Sequence, residues 1–177
     1  MADVNTQTGA PPPRDRQAPK KSQGLSIDDR PEILLIELLF FAYRDFISDP
    51  DTALAGYGFG RAHHRVLHFV SRHPGIRVAD LLDILKITKQ SLGRVLKQLI
   101  DTGHIEQRPG PLDRRQRLLF ATEKGRALAL RLIDLQARRV RAAISGMSAA
   151  ERAGAEMFLR SMIDPSERDY VRRLIER

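Results

Sequence analysis

Apolar residues recur three and four apart through most of the chain, so helices are its main predicted element. Between Asp29 and Asp49, Ile33, Leu34, Ile36, Leu38, Phe40, Phe41 and Tyr43 occupy more than one helical face. A helix wrapped only against its own domain does not need a second apolar face, so a partner subunit is expected there. Pro50 and three glycines mark Asp49 to Gly60 as loop. Ala62, Val66, Phe69 and Val70 predict a second helix from Arg61 to His73, ended by Pro74-Gly75.

From Gly75 to Gly103 the pattern reads as two helices joined by a tight turn. In the first, Val78, Leu81, Leu82 and Leu85 face inward while Asp80 and Asp83 project outward, as in a support helix. In the second, Thr88 can cap the free amides, and Ile87, Leu92, Val95, Leu96 and Leu99 form the buried stripe. A strand, a Pro/Gly-punctuated loop and a second strand follow. Thr122 then opens a long helix with Leu128, Leu132, Leu135 and Val140 on one side, stopped at Gly146. Ser148 and Glu151 fit a capping box for the next helix, and Asp164-Pro165 begins a terminal one containing Tyr170, Val171, Leu174 and Ile175. Leu132 and Leu174 are expected at a dimer interface. The predicted fold is mainly α with a small β wing: a winged helix-turn-helix flanked by N- and C-terminal dimerisation helices.

Charge sharpens this picture. Of the chain's net +8, +7 lies between Gly60 and Thr122, where twelve Lys/Arg face five acids. Each phosphate neutralised by Lys or Arg releases a condensed counterion, so a segment this basic is expected to meet double-stranded DNA. Residues 1–28 are rich in Pro, Gln, Ser and Thr and cannot bury enough surface to offset ordering entropy, so a disordered tail is expected. The remainder, 29–177, is expected to form one domain, with 60–122 as the winged helix-turn-helix and 29–56 and 123–177 as dimerisation helices. Neither an apolar span nor a signal segment is visible, so the expected setting is cytoplasmic and away from membranes. The absence of cysteine removes disulfides, thiolate metal sites and thiol chemistry.

The N-terminal end of a recognition helix enters the major groove. Lys89, Gln90, Ser91 and Arg94 are therefore the expected readers of bases or backbone, with Lys97 and the cap Thr88 beside them. Arg108, Arg114, Arg115 and Arg117 make the hairpin basic enough for a minor groove or its phosphate rims. Asp113 stands among these arginines, and its spacing to Arg115 suits the holding of a guanidinium; the alternative is a surface ion pair of under about 1 kcal/mol.

Val66-Leu67, Pro74-Gly75, the stretch Ile87 to Leu99, Gly103-His104-Ile105-Glu106-Gln107-Arg108, and above all Asp113-x-Arg115 followed by Thr122-x-x-Gly125, resemble the multiple-antibiotic-resistance regulator (MarR) family. The resemblance spans roughly Arg30 to Met162. It implies a homodimer on a pseudo-palindromic operator that is released when a small ligand binds. The chain departs from the family pattern at Arg77, where a Ser or Thr cap is usual, at Ala121, and in a longer C-terminal extension.

The resemblance also implies a small aromatic or phenolic effector where the first two helices meet the DNA-binding lobe. Phe40, Tyr43, Arg44, Arg61, His63 and His64 are the expected lining. All five histidines fall within the basic segment, and His64 and His68 have the i, i+4 spacing that lets two imidazoles share a metal, although no third ligand stands nearby in sequence. Packing at a helix junction is the plainer reading, and neither metal nor cofactor is expected. With no phosphate loop and no nucleophile beside a base, an enzyme is not expected. The leading reading is a sequence-specific, ligand-responsive repressor; the alternatives are a non-specific architectural DNA-binding protein and a metal-sensing regulator.

Overall fold

A computed structural model of the chain describes residues 26–176 apart from 112 and 114. The predicted tail, residues 1–28, lies almost wholly outside the described residues. At its end, Ile27–Asp29 form a 3₁₀ turn where irregular chain was expected. Two compact units divide after Leu38. In the described part of the N-terminal one, Leu34, Leu35, Ile36 and Leu38 all stand exposed on the opening turns of helix α1 (Ile33–Ala55).

Helix α1 corrects the expected loop over Asp49 to Gly60, because it continues through Pro50 to Ala55. Proline inside a helix costs about 3 kcal/mol. Here Ile47, Pro50 and Leu54 are spaced three and four apart and all are buried, so the helix extends an apolar stripe into the core despite that cost.

The core is formed by α2 (Arg61–Arg72), α3 (Val78–Leu85), α4 (Lys89–Asp101), α5 (Glu123–Ile144) and a small sheet. Leu54, Val66, Leu67, Val70, Leu81, Leu99, Leu119 and Leu132 are fully enclosed. Leu132, expected at a dimer interface, thus belongs to this core instead. The sheet has three strands, one more than the predicted hairpin: β1 (Ile76–Arg77), β2 (Ile105–Pro109) and β3 (Arg117–Ala121), in the order β1-β3-β2. Both neighbours run antiparallel to β3, with Ile76 opposite Leu119 and Ile105 opposite Ala121. Two residues are too few to reveal a period of two, which is why β1 leaves no mark in the sequence.

The joint between wing and α5 accounts for the pattern Thr122-x-x-Gly125. Thr122 Oγ1 donates to the Gly103 carbonyl at 2.7 Å and accepts from the Gly125 amide at 3.1 Å, capping α5 and tying it to the turn before β2. Gly103 takes φ +72°, and a Cβ on Gly125 would collide with the His104 carbonyl. Both glycines are therefore demanded by one junction.

Beyond α5, Ser148 and Glu151 close the predicted capping box and start α6 (Ala149–Ser161). The terminal helix α7 (Arg168–Ile175) begins later than Asp164-Pro165 suggests. Asp164 Oδ1 instead accepts the amide and hydroxyl of Ser166, at 2.8 and 2.6 Å, and so holds a turn open before the helix. Neither α6 nor α7 contains a fully buried residue.

Candidate nucleic-acid interface

Helix α3 starts without the usual hydroxyl cap, since Arg77 has no acceptor to offer. Asp80 supplies the bond from the other direction: its carboxylate accepts the Arg77 amide at 3.1 Å and the Arg77 guanidinium at 2.9 and 2.5 Å. That hydrogen-bonded guanidinium holds the Asp80 carboxyl below the usual carboxylate range. Asp80, expected to project outward, is thus bound to Arg77.

Helix α3 ends at Lys86, which takes the left-handed conformation with φ +51°. A side chain in this region costs roughly 1–2 kcal/mol, yet the residue reverses the chain in time for α4. The Lys86 amide donates to Leu82 O at 2.9 Å, and Arg65 Nη2 reaches Leu85 O at 3.1 Å. Three residues after Leu85, Thr88 Oγ1 accepts from the Ser91 amide at 3.1 Å and donates to Ser91 Oγ at 2.9 Å. Both hydroxyls are thereby committed to the cap, so Ser91 holds the head of α4 in addition to facing outward.

Leu92, Val95, Leu96 and Leu99 anchor α4 in the core, and the opposite face carries Lys89, Gln90, Gly93, Arg94 and Lys97. Lys89, Gln90 and Arg94 engage no hydrogen-bonding or ionic partner among the described residues. Among the described residues, nothing outside its own helical turn stands within 4 Å of the position a Cβ would take on Gly93. Lys97 differs, because Asp101 holds its ammonium at 2.6 Å. The end of the helix facing α3 therefore carries the uncompensated charge.

On the wing, Arg108 lies 4.6 Å from the Phe120 ring centroid and pairs with Glu106 at 2.5 Å, so it is held along the strand. Among the described residues, Asp113 clasps no guanidinium. Its Oδ1 accepts the Arg115 amide at 2.9 Å, while its carbonyl accepts the Gln116 amide at 3.0 Å. The pattern Asp113-x-Arg115 is thus a turn lock that leaves the exposed Arg115 side chain free of any partner among the described residues. Gly110 fits the same turn, where a Cβ would come within 2.8 Å of Asp113 O. Arg117 is exposed at the start of β3, and Arg114 lies outside the described residues.

The residues expected to line an effector pocket do not all converge. A cavity of about 280 Å³ between α1, α2 and α5 is lined by Tyr43, Phe46, Ile47, Asp51, Arg61, His64, Arg65, His68, Phe69 and Gln136. Tyr43, Arg61 and His64 are in place. Phe40 is exposed outside it, and Arg44 pairs with Asp45 and covers the Phe41 ring. His63 turns away, stacking on Phe59 at 4.8 Å and bonding Gln98 Oε1 through Nε2 at 2.8 Å. Arg61 is already held by Asp51 at 2.8 Å. Burial pushes the imidazoles of His64, His68 and His104 toward the neutral form. Among the described residues no group of three His, Cys, Asp or Glu is placed to hold a metal.

A three-stranded wing packed behind a capped, basic recognition helix is a DNA-reading architecture. The MarR family profile matches residues 57–116, from the loop before α2 into the wing. The chain is 46% identical over 139 residues to the HTH-type transcriptional regulator PetP of Rhodobacter capsulatus, covering 78% of this chain and 84% of that protein. It belongs to the MarR family. This regulator also shares its fold with solved structures. Streptococcus pneumoniae FabT in complex with DNA superposes with a TM-score of 0.66 at 21% identity, covering 73% of this chain and 92% of that one. A MarR-family regulator from Listeria monocytogenes complexed with 26mer DNA gives 0.64 at 23% identity, covering 78% and 93%. The MarR-family protein described here is a sequence-specific transcriptional regulator and not an enzyme. No helix among its described residues is long and apolar enough to cross a membrane.

Proposed function

We propose that this regulator binds a pseudo-palindromic operator as a homodimer, represses from it, and is released by a small effector. The observation that carries the DNA reading is the head of α4, where Lys89, Gln90 and Arg94 stand exposed and uncompensated beside a hydroxyl cap. In this reading they contact bases and the adjoining backbone, with Thr88, Ser91 and Lys97 at the rim. Arg108, Arg114, Arg115 and Arg117 then meet phosphate or minor groove from the wing, and Asp113 shapes the turn that carries them. DNA complexes of FabT and of the Listeria regulator support the same mode of docking.

Two-fold symmetry sets half-sites about 34–36 Å apart. The need for a second copy follows from the exposed apolar faces of α1 and α6, including Phe40, Phe41, Met157 and Leu159. An effector would enter the cavity beside His64 and His68, where Tyr43, Phe46 and Phe69 offer aromatic walls. Since Arg61 already pairs with Asp51, an acidic ligand would have to compete for that guanidinium.

DNase footprinting across the protein's own upstream region, repeated with competitor DNA, tests this function. A discrete symmetric footprint that survives competitor is expected. Diffuse protection lost to competitor would favour the architectural alternative.

A further inference from the structure

The C-terminal extension folds onto the DNA-reading lobe of its own chain. Glu167, Tyr170, Val171 and Leu174 are spaced three, one and three apart and are all half-buried, so one stripe of α7 is covered. The contacts at its two ends identify what covers it. At the start, Glu167 Oε1 pairs with Lys86 Nζ at 3.1 Å. At the end, the Ile175 carbonyl accepts from Arg72 Nη2 of α2 at 3.3 Å. The Tyr170 phenol lies within electrostatic reach of Asp80 and Asp83 on α3.

The helix is also fixed from behind. Arg168 donates to the carbonyls of Ile163 and Ser161 at 3.0 and 2.8 Å, which locks the corner between α6 and α7. Arg160 of α6 reaches Glu176 at 3.3 Å while holding Glu156 at 2.8 Å. A helix anchored this way presents Glu167 at a set position rather than on a loose end.

Lys86 is no ordinary surface partner. It is the left-handed residue that turns α3 into α4, two positions before the Thr88 cap. A strained residue keeps its conformation only when its surroundings over-determine it. The geometry points to Glu167 as a positioning residue for the DNA-reading head: α7 splints the α3–α4 turn through Lys86 and fixes the angle at which α4 presents Lys89, Gln90 and Arg94. This rests on the proposed DNA-reading role of α4, although the splint itself is measured without DNA.

Hydrogen exchange at the amides of residues 86–92 in the full chain is the test. Glu167→Lys sets like charges against each other, and the turn amides should exchange about two- to fivefold faster, the range open to an exposed pair. Glu167→Gln should give a smaller change in the same direction. The swap Lys86→Glu with Glu167→Lys should restore protection, which a general loss of packing would not do. Leu174→Asp should loosen the same turn while sedimentation shows an unchanged oligomer. The ratio of operator to random-duplex affinity should fall in Glu167→Lys even though the added charge favours any duplex. Unchanged turn exchange in Glu167→Lys, or a swap that fails to restore it, overturns the splint. So does a Leu174→Asp chain that dissociates with its turn protected, because α7 would then belong to the subunit interface. Failure of the footprint instead, with turn exchange behaving as expected, would remove the DNA reading and leave the splint standing.

Discussion

The winged lobe and α6 contain similar apolar residues and dispose of them in opposite ways. Helix α2 buries three apolar residues and α4 four in one continuous core. Helix α6 buries none, leaving Met157 67% and Leu159 60% exposed. Helix α1 contains both behaviours, with Ile47, Pro50 and Leu54 buried in its second half and Phe40 67% exposed before them. Isolated exposed apolar residues are ordinary, whereas whole helical faces of them mark an interaction surface. The lobe therefore has a core of its own, and the exposed flanking faces are the surfaces on which the proposed second copy would pack.

The hardest test of this contrast is a pair of truncations. Leu99→Ala empties a fully enclosed site and should cost about 2–5 kcal/mol, a large drop in melting temperature. Met157→Ala should cost under about 0.5 kcal/mol within the chain, because two-thirds of its surface is already exposed. Equal losses in thermal melts would mean that the lobe is not the independent unit. Met157→Asp carries the comparison to assembly, since a charge buried without a partner in a subunit interface is costly. Sedimentation should report monomer with the lobe still folded; a stable dimer would place the interface elsewhere.

Within the lobe, a smaller contrast separates free from committed cations. Arg94→Ala should weaken operator binding by about 1–3 kcal/mol and relax preference at one position. Lys97 is neutralised by Asp101, so Lys97→Ala should change affinity less and equally for all sequences. Anisotropy titrations at several salt concentrations separate the two, because loss of one phosphate contact lowers the salt slope by about one unit. Identical, sequence-independent losses would undo the assignment of α4 as the reader.

The lobe was legible in sequence because its signals are local. The Thr88 cap and the Leu92-to-Leu99 stripe, like the Ser148–Glu151 box that opens α6 outside the lobe, each need only residues within one or two turns, and all appear where expected. Where the partner is distant in sequence, the reading fails. Strand β1 is defined by Leu119, more than forty residues away, and Pro50 stays helical because of a core that no local rule anticipates. Asp113 locks a backbone turn, although its spacing to Arg115 suits a guanidinium equally well. The expected effector lining converges only in part: Phe40 lies nearly one turn before Tyr43 on α1 and stands exposed outside the cavity, Arg44 is drawn to Asp45, and His63 points to Gln98 while His64 points to the cavity.

The histidines supply the finest comparison, between imidazoles enclosed in the lobe and the ordinary group in the unfolded chain. Burial lowers the native pKa of His64, His68 and His104 below the unfolded value of about 6.5. Between the native and unfolded pKa values the unfolded chain binds more protons, so stability rises with pH through that window. Their contribution is fully present above about pH 6.5 and is lost as pH falls toward the native pKa values. The melting temperature should therefore drop between pH 7.5 and 5.5. His104→Phe should flatten part of that drop, because His104 is almost fully enclosed, with Nδ1 bonded to Thr102 Oγ1 at 2.9 Å and no partner at Nε2 among the described residues. The same substitution should leave the pH response of a His64→Gln chain reduced by a similar step, since the two rings belong to separate clusters. A melting temperature that held constant to pH 5.5 would mean that these rings take up protons in the native lobe as readily as in the unfolded chain.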